Sequence, residues 1–224
     1  DLRLFANGYY PNYFVGYNSA WGTAYAPLMG YNFSDDFSNS GVQSNFESNV
    51  PSSRGTASEA VAWLSQYAGP NWNFAWVRKT NLFINRLDNV AKPKLTDEAY
   101  KHWMGVARFF RGYEYSRLVS VFGDVPYYDQ LFSETDYDTM YKDRTPRGEV
   151  MDKVYDDLMY AFNNIRLDDG TNVLNKYIAA GYISRLMLFE GTWQKYHNGD
   201  QARAKKYLEF AVTAGDFVIN SGKF

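Results

Sequence analysis

One long helical segment constrains the fold more than any other feature of the sequence. Residues 95–123 read LTDEAYKHWMGVARFFRGYEYSRLVSVFG, with Thr96 placed as an N-cap. Gly123 tolerates the left-handed backbone that ends many helices, and Pro126 prevents the helix from resuming. The segment therefore predicts a single amphipathic helix from Thr96 to Gly123. Its apolar side is predicted to hold Met104, Ala107, Phe110 or Arg111, Tyr115, Leu118 and Val119.

Other segments after residue 55 also show helical spacing of apolar residues. Thr56 and Glu59 form a capping box, Thr145 is predicted as an N-cap with Pro146 at the first helical position, and Asp200 is predicted as another N-cap. The predicted helices are 56–69, 71–91, 145–165, 175–196 and 200–222. Their predicted apolar stripes include Trp72, Trp76, Leu82 or Phe83, Leu87 and Val90, then Val150, Val154, Leu158 and Ala161 or Phe162, and Ala179, Ala180, Ile183, Leu186, Met187 and Glu190.

Short turns separate these helices, so neighbours are predicted to form antiparallel pairs that begin near residues 72, 146 and 200. Small residues are predicted to permit close helix contact, as in tetratricopeptide repeats. They are Gly105, Ala107, Gly112, Ala179, Ala180 and Gly181. The predicted fold class is all-α, a superhelical array of tetratricopeptide-like pairs. Because the last pair has only its first helix in this scheme, we expect the chain to be a fragment of a longer protein.

The start of the chain has a different composition. Residues 1–55 are rich in Gly, Asn, Ser and Tyr, and they predict loops with one short helix around Ala20–Met29. The expected organisation is a loop-rich segment at 1–55 and a helical domain at 56–224. Long ordered loops often carry function.

The composition excludes several classes of function. The net charge is -2, which gives no global attraction to nucleic acid, and the absence of cysteine excludes thiolate catalysis and cysteine-ligated metals. No apolar run is long enough to span a membrane, and the first residues lack a signal peptide, as expected of a mature chain. Twenty Tyr, 16 Phe and 6 Trp indicate ring-shaped ligands, a large partner interface or simply a tyrosine-rich core.

No catalytic motif accompanies this composition. The two histidines, His102 and His197, belong to no metal or nucleophile motif, and no phosphate-binding loop is present. Asp156 and Asp157 are adjacent on a predicted helix and point in different directions, while Asp168-Asp169-Gly170 has turn composition. The chain is therefore predicted to be no enzyme and to bind neither a metal nor a cofactor.

The segment ARFFRGYEYSRLVSVFGDVPYYD resembles the hallmark of the SusD/RagB family of outer-membrane glycan-binding lipoproteins. The family pattern matches Ala107-Arg108, Arg111, Tyr115, Leu118 and 122–126, with Gly112 where alanine is usual. The resemblance extends over about residues 60–224. Physically, Arg108 and Arg111 lie on neighbouring helix positions, where they can clamp carboxylates or loop carbonyls. Asp124 can accept hydrogen bonds from backbone N–H groups. We interpret Arg108, Arg111, Gly123, Asp124 and Pro126 as a structural latch.

The resemblance implies a partner and a location. SusD-like proteins cover the extracellular mouth of a SusC-like TonB-dependent transporter and capture glycans or other nutrients for import. They are held at the outer membrane by a lipidated N-terminal cysteine, which this chain lacks, so a lipid anchor would lie outside it. Members of the family are about twice this length.

The first hypothesis is a non-catalytic lid that binds an oligosaccharide or polysaccharide, although a peptide-binding member would look the same. Sugar rings stack on tryptophan and tyrosine, and charged side chains bind their hydroxyls. The predicted ligand-binding residues are Asp35, Asp36, Arg54, Trp63 and Trp72. The alternative is a helical repeat scaffold that binds a peptide or protein partner. A third hypothesis, a helical glycoside hydrolase, is disfavoured because the sequence offers no credible pair of acid and base carboxylates.

Overall fold

A computed structural model describes residues 2–14, 72–197 and 199–224 of the protein. The chain divides into two compact units, one that holds residues 3–74 and one that holds residues 75–224. The predicted boundary between residues 55 and 56 lies outside the described residues, as do the predicted helices at 20–29 and 56–69.

The start of the chain contains two short helices where the sequence predicted loop. They are α1 (Leu2–Asn7) and α2 (Tyr10–Tyr13). Pro11 occupies the first turn of α2, where its missing N–H has no partner to lose. The rings of Tyr9 and Tyr13, both buried, have centres 6.3 Å apart. The aromatic spacing of four residues was thus a helix signal that the polar composition of the segment concealed.

The second unit is built from helices. In chain order they are α3 (Ala75–Arg86), a π-helical turn (Leu87–Ala91), a 3-10 turn (Lys92–Lys94), α4 (Asp97–Phe122), α5 (Tyr137–Met140), α6 (Arg147–Asn164), α7 (Lys176–Tyr196) and α8 (Gln201–Ile219). The described residues contain no strand, and the one bridge among them joins Val125 to Thr145. The all-α prediction is therefore confirmed. Within the described ranges, no helix combines the length and apolar character needed to cross a bilayer.

Helix α4 is the centre of this unit. Thr96 Oγ1 accepts the Ala99 N–H at 3.2 Å and Gly123 follows the last turn with φ 70°, so both predicted ends are confirmed. The predicted one-sided burial is wrong, because nearly every residue from His102 to Val119 is buried. Helix α6 packs most extensively against α4, and α3 and α7 also contact it, so α4 is not confined to one buried face.

The closest helix packing depends on glycine. A Cβ at Gly105 would lie 3.1 Å from Ile165 Cγ1, and a Cβ at Gly112 would lie 3.1 Å from Leu158. These contacts confirm the predicted close approach at α4. The earlier glycine meets the later residue of the α6 segment, so α4 and α6 run antiparallel. Gly181 was predicted wrongly, since no atom of the residues that the structure describes lies within 4 Å of its Cβ position. The glycine that permits close approach in α7 is Gly191, whose Cβ would meet Leu208 of α8 at 2.7 Å.

The pairing of helices differs from the prediction. The most extensive interfaces join α4 to α6 and α7 to α8. Helix α8 is therefore the second member of a pair, and the expectation of an unpaired final helix is wrong. The reason is the tight turn after α7, where the Gln194 side-chain oxygen accepts the Asp200 N–H at 2.9 Å. Asp200 caps α8 as predicted, through the N–H groups of Ala202 and Arg203.

Helix α6 begins differently from the prediction. Thr145 is not its N-cap but pairs with Val125 through backbone hydrogen bonds of 3.0 and 3.3 Å. Pro146 takes the capping position and offers no side-chain acceptor. The Asp124 carboxylate supplies one instead and accepts the Arg147 N–H at 2.7 Å. A residue on the preceding turn thus stabilises the helix end, where both an acceptor and a negative charge are favourable.

The predicted apolar stripes are confirmed in part. Val150, Val154, Leu158 and Ala161 are all buried in α6. In α7, Leu186 is the one half-buried member of an otherwise buried predicted set. In α3 the buried residues are Val77, Thr80, Asn81, Phe83 and, in the following turn, Leu87. Trp76 and Leu82 are half-buried. Val90 is exposed, because the π-helical turn changes the angular spacing after Arg86.

Candidate functional site

Most of the predicted ligand-binding residues lie outside the part of the chain that the structure describes. Asp35, Asp36, Arg54 and Trp63 fall in this range, and their roles stay predictions. Trp72 is described and half-buried. Its ring meets Phe74 edge to face, with centres 5.3 Å apart and planes at 80°. This geometry holds the indole in place while leaving part of its surface accessible.

The two hallmark arginines of α4 converge on one carboxylate of α6. Arg108 Nε donates to Asp157 Oδ1 at 2.7 Å, and Arg111 donates to both oxygens, from Nε at 2.7 Å and from a terminal nitrogen at 2.8 Å. Asp157 and Arg111 are both buried. Burial alone lowers the pKa of Arg111, but the hydrogen bonds and charge of Asp157 outweigh it and raise that pKa.

The other end of Arg111 reaches the loop after Pro126. Its second terminal nitrogen donates to the Asp129 carbonyl at 3.0 Å and to Asn81 Oδ1 at 3.2 Å. The Asn81 amide donates in turn to the Tyr128 carbonyl at 2.9 Å. The Tyr115 hydroxyl accepts the Tyr128 N–H at 2.6 Å and donates to the Tyr128 carbonyl at 3.1 Å. We call Asn81, Arg111, Tyr115 and Asp157 the buried cluster; it joins α3, α4, α6 and this loop.

Sequence reasoning missed the importance of Asp157 and Asn81. The expectation that Asp156 and Asp157 point in different directions is confirmed, since Asp156 is exposed and Asp157 is buried. The missed signal was position, because Asp157 follows Val154 by three residues and falls on the apolar stripe of α6. A carboxylate on a buried face requires a partner.

The remaining hallmark residues form the turn after α4. Gly123 has a positive φ, Asp124 accepts the Arg147 N–H, and Pro126 is buried. Val125 pairs with Thr145, which closes the segment between residues 125 and 145 at its base. The residues that were interpreted as a latch thus form two groups. The two arginines bond Asp157 in the middle of α6, and the turn residues lie beside the start of α6.

A second buried ion pair was not predicted. Arg147 donates to Glu190 from Nε at 3.0 Å and from a terminal nitrogen at 2.6 Å, and its guanidinium carbon lies 3.8 Å from the centre of the Trp193 ring. Its other terminal nitrogen donates to the Val119 carbonyl at 3.3 Å. Gln194 donates to Glu190 at 2.8 Å. Arg147 therefore joins the start of α6 to the ends of α4 and α7.

His102 is a structural residue in this arrangement. It is fully buried, its Nδ1 accepts the Arg166 N–H at 3.2 Å, and its Nε2 lies 3.1 Å from an Asp169 oxygen. The first contact requires an unprotonated Nδ1, so the ring is neutral and donates from Nε2. Burial lowers the pKa of His102 despite the opposing effect of Asp169. Within the described ranges, no group of three or more acidic or histidine side chains is placed to hold a metal ion.

An open groove of about 460 Å³ runs between α6 and α8. Tyr155, Phe162 and Phe210 form its apolar wall, and Lys205, Lys206 and Glu209 lie along α8. The ammonium group of Lys206 is 4.0 Å from the centre of the Tyr155 ring and 3.6 Å from Asp152. The groove thus combines ring surfaces with charged groups that are already partly paired.

Comparison with known proteins places these features in a family. Residues 19–188 match the SusD-like family described as starch-binding proteins that associate with the outer membrane. Over 91 residues the chain is 35% identical to SusD-like protein P2 of Formosa agariphila, a match that covers 40% of this chain and 18% of that protein.

Solved structures agree with this family match. A SusD-like carbohydrate-binding protein from Bacteroides fragilis superposes with a TM-score of 0.61 at 17% identity, over 99% of this chain and 40% of its own. A structure solved with a xylogluco-oligosaccharide gives a TM-score of 0.53 at 20% identity, over 66% of this chain and 28% of its own. The chain therefore spans less than half the length of the proteins it matches. These likenesses confirm the tetratricopeptide-like helical fold, and the family match over three-quarters of the sequence shows that the chain belongs to the SusD-like family.

Proposed function

We propose that this protein is a non-catalytic lid that captures glycan at the outer face of the outer membrane for import by a SusC-like TonB-dependent transporter. The principal support is the family match over residues 19–188. Two solved relatives add to it, one named as carbohydrate-binding and one holding a xylogluco-oligosaccharide. Attachment to the membrane through a lipid anchor outside these residues is part of the proposal.

The proposed glycan contacts are those that the sequence suggested. Trp63 and Trp72 would stack on the C–H faces of sugar rings, while Asp35, Asp36 and Arg54 would bind hydroxyl groups. Trp72 supports this role through its geometry, since the edge-to-face contact with Phe74 fixes the ring before any ligand arrives. A ring that is already fixed loses little conformational freedom on binding.

The buried carboxylates support a non-catalytic role. A glycosidase requires two carboxyl groups across a cleft, one of them able to donate a proton. Asp157 and Glu190 are instead buried and bonded to arginine guanidinium groups, which commits their oxygens to holding helices together. These two carboxylates thus serve architecture, and the expected activity on glycan is binding alone.

Affinity electrophoresis of the purified protein against plant, host and microbial polysaccharides tests the glycan proposal. Retardation on one polysaccharide is expected, with loss of retardation in Trp63→Ala or Trp72→Ala. Tyr196→Ala is the matched control, because Tyr196 is an exposed aromatic residue at the far end of α7. Migration unchanged on every polysaccharide would refute glycan capture.

Co-purification with an affinity-tagged SusC-like transporter from the same cells tests the lid proposal. The transporter is expected to retain the protein at moderate salt and to release it only when the membrane complex is dissociated. If the protein binds glycan but does not associate with the transporter, it is a surface glycan-binding protein, and the proposed role in import is wrong.

The groove between α6 and α8 favours a second candidate function, a scaffold that binds a peptide or protein. A charged groove along helices is what that function requires, and Lys205, Lys206 and Glu209 provide one. Lys205→Glu with Lys206→Glu is expected to abolish binding of such a partner and to leave glycan retardation unchanged. If co-purification of the transporter survives both substitutions, the groove is not its docking surface.

A further inference from the structure

Two exposed tyrosines lie on the segment that follows the turn after α4. Tyr137 is 62% exposed and Tyr141 is 77% exposed. Their ring centres are 6.4 Å apart and their planes differ by only 15°. Tyr137 begins α5 and Tyr141 directly follows its last residue, so the spacing of four residues places both side chains on the same side of this turn. We call Tyr137 and Tyr141 the tyrosine platform.

The backbone beneath the platform is well fixed for a surface segment. Asp136 caps α5 by accepting the Thr139 N–H at 3.1 Å, and the Tyr141 N–H donates to the Tyr137 carbonyl at 2.9 Å. The Tyr128 hydroxyl donates to the Met140 carbonyl at 2.9 Å. The last turn of α5 is therefore bonded to the loop that follows Pro126.

That loop is in turn held by the buried cluster. Tyr115 and Asn81 bind the backbone of Tyr128, and Arg111 binds the Asp129 carbonyl. The Lys142 ammonium group adds a hydrogen bond to the Tyr127 carbonyl just beyond the platform. A continuous set of hydrogen bonds thus connects the interior of the helical unit to two rings at its surface. The backbone that carries the rings therefore needs little ordering when a ligand binds.

We propose that the tyrosine platform is a carbohydrate-binding contact, additional to the predicted contacts at Trp63 and Trp72. Two rings with this exposure offer flat apolar surfaces on which the C–H faces of sugar rings can stack. Asp138 lies between the two tyrosines in sequence and is exposed, so its carboxylate can bind hydroxyls. The exposed Lys142 ammonium group has three N–H groups, of which one bonds the Tyr127 carbonyl and the others can donate to hydroxyls. The proposal rests on the proposed function, because it assigns a further contact for the same class of ligand.

The size of the platform favours a sugar over a protein partner. A stable protein interface buries about 800 Å² on each side. Two aromatic side chains bury about 150–250 Å² each, which is well short of that area but enough to cover a pair of sugar rings. Charged residues surround the tyrosines in sequence, at Asp136, Asp138, Lys142 and Asp143, and supply polar groups rather than further apolar area.

Affinity electrophoresis on the glycan that retards the parent protein tests the platform. Tyr137→Ala with Tyr141→Ala is expected to weaken binding by about tenfold, because two stacking contacts are lost. Tyr137→Phe with Tyr141→Phe keeps both rings and is expected to bind within about twofold of the parent. Both double variants should unfold at the temperature of the parent protein, since exposed side chains contribute little to stability.

The outcomes separate this proposal from the proposed function. Unchanged affinity in the alanine double variant, together with loss in Trp72→Ala, overturns the platform and leaves glycan capture standing. Equal losses in the phenylalanine and alanine variants overturn ring stacking. Loss of transporter association without loss of glycan affinity overturns the glycan assignment in favour of a protein interface. A parent protein that binds no glycan overturns both proposals.

Discussion

Helix α6 has two seams of opposite character. Toward α4 it presents Asp157, which binds Arg108 and Arg111, beside apolar residues that fit closely against the glycines of α4. Toward α8 it presents rings, with Phe162 packed on Phe210 and Phe217 at centre distances of 5.8 and 5.4 Å. We call these the charged seam and the aromatic seam.

The contrast shows two ways of fixing neighbouring helices. Buried rings stabilise through the apolar area they remove from water, which constrains geometry only loosely. A buried ion pair gains little net free energy, because desolvation offsets the attraction, but it is costly to break and tolerates few arrangements. The charged seam therefore determines where the loop after Pro126 lies, and the aromatic seam supplies burial.

The largest expected effect tests the charged seam. Asp157→Ala leaves the buried Arg111 without a counter-charge, and breaking such a pair costs about 3–5 kcal/mol. The free energy of unfolding from urea titration measures this loss. Asp156→Ala is the control, because its exposed side chain should contribute within about 0.5 kcal/mol. Equal effects of the two substitutions would contradict the special role of the charged seam.

The second-largest change in the free energy of unfolding is expected at the aromatic seam. Phe210→Ala removes a buried ring that contacts both Tyr155 and Phe162, and the loss should be about 3 kcal/mol in the same titration. Val212→Ala, two residues away and exposed, should change stability by less than about 0.5 kcal/mol. A Phe210→Ala loss larger than that of Asp157→Ala would reverse the order of the two seams.

Glycine substitutions probe how closely the charged seam is packed. Gly112→Ala forces a methyl group against Leu158 and is expected to cost about 1–3 kcal/mol. Gly181→Ala should instead gain about 0.5–1 kcal/mol, because alanine favours a helix and none of the described residues would meet the added methyl group within 4 Å. Thermal unfolding should show a lower melting temperature for Gly112→Ala and a higher one for Gly181→Ala. A higher melting temperature for Gly112→Ala would show that α4 and α6 can move apart freely.

The smallest effect concerns pH. Because the folded-state pKa of His102 lies below the ordinary value of 6.5, the unfolded chain binds more protons between the two values. This contribution to stability is present above pH 6.5 and is lost as the pH falls toward the folded-state pKa. The slope cannot exceed about 1.4 kcal/mol per pH unit for one proton. Urea titrations at several pH values should show the slope in the parent and in His197→Asn but not in His102→Asn.

Local signals in the sequence predicted much of the fold. Thr96, Gly123 and Asp200 marked helix ends correctly because a cap depends on residues within one turn. The stripe of α6 was correct for the same reason. The segment from Ala107 to Pro126 was sufficient to indicate the family.

Features that depend on distant parts of the chain escaped prediction. The cap of α6 comes from Asp124, and no local rule connects that residue to the Arg147 N–H. The role of Asp157 depends on two arginines nearly 50 residues away, and the partner of α8 depends on the turn held by Gln194. Of the predicted ligand residues, the structure describes Trp72, and the tyrosine platform was not anticipated because two tyrosines in a polar segment resemble ordinary loop composition.

The contacts of Arg147 have a consequence for where sequences of this family can vary. One guanidinium group bonds the Val119 carbonyl and Glu190, and Glu190 bonds Gln194, which binds the Asp200 N–H. The corners of α4, α6, α7 and α8 are thereby set from inside the protein, independently of the segment between Val125 and Thr145. Residues 130–142 can therefore be lengthened, shortened or replaced while the helical frame keeps its shape, which leaves this segment free to differ between members of the family.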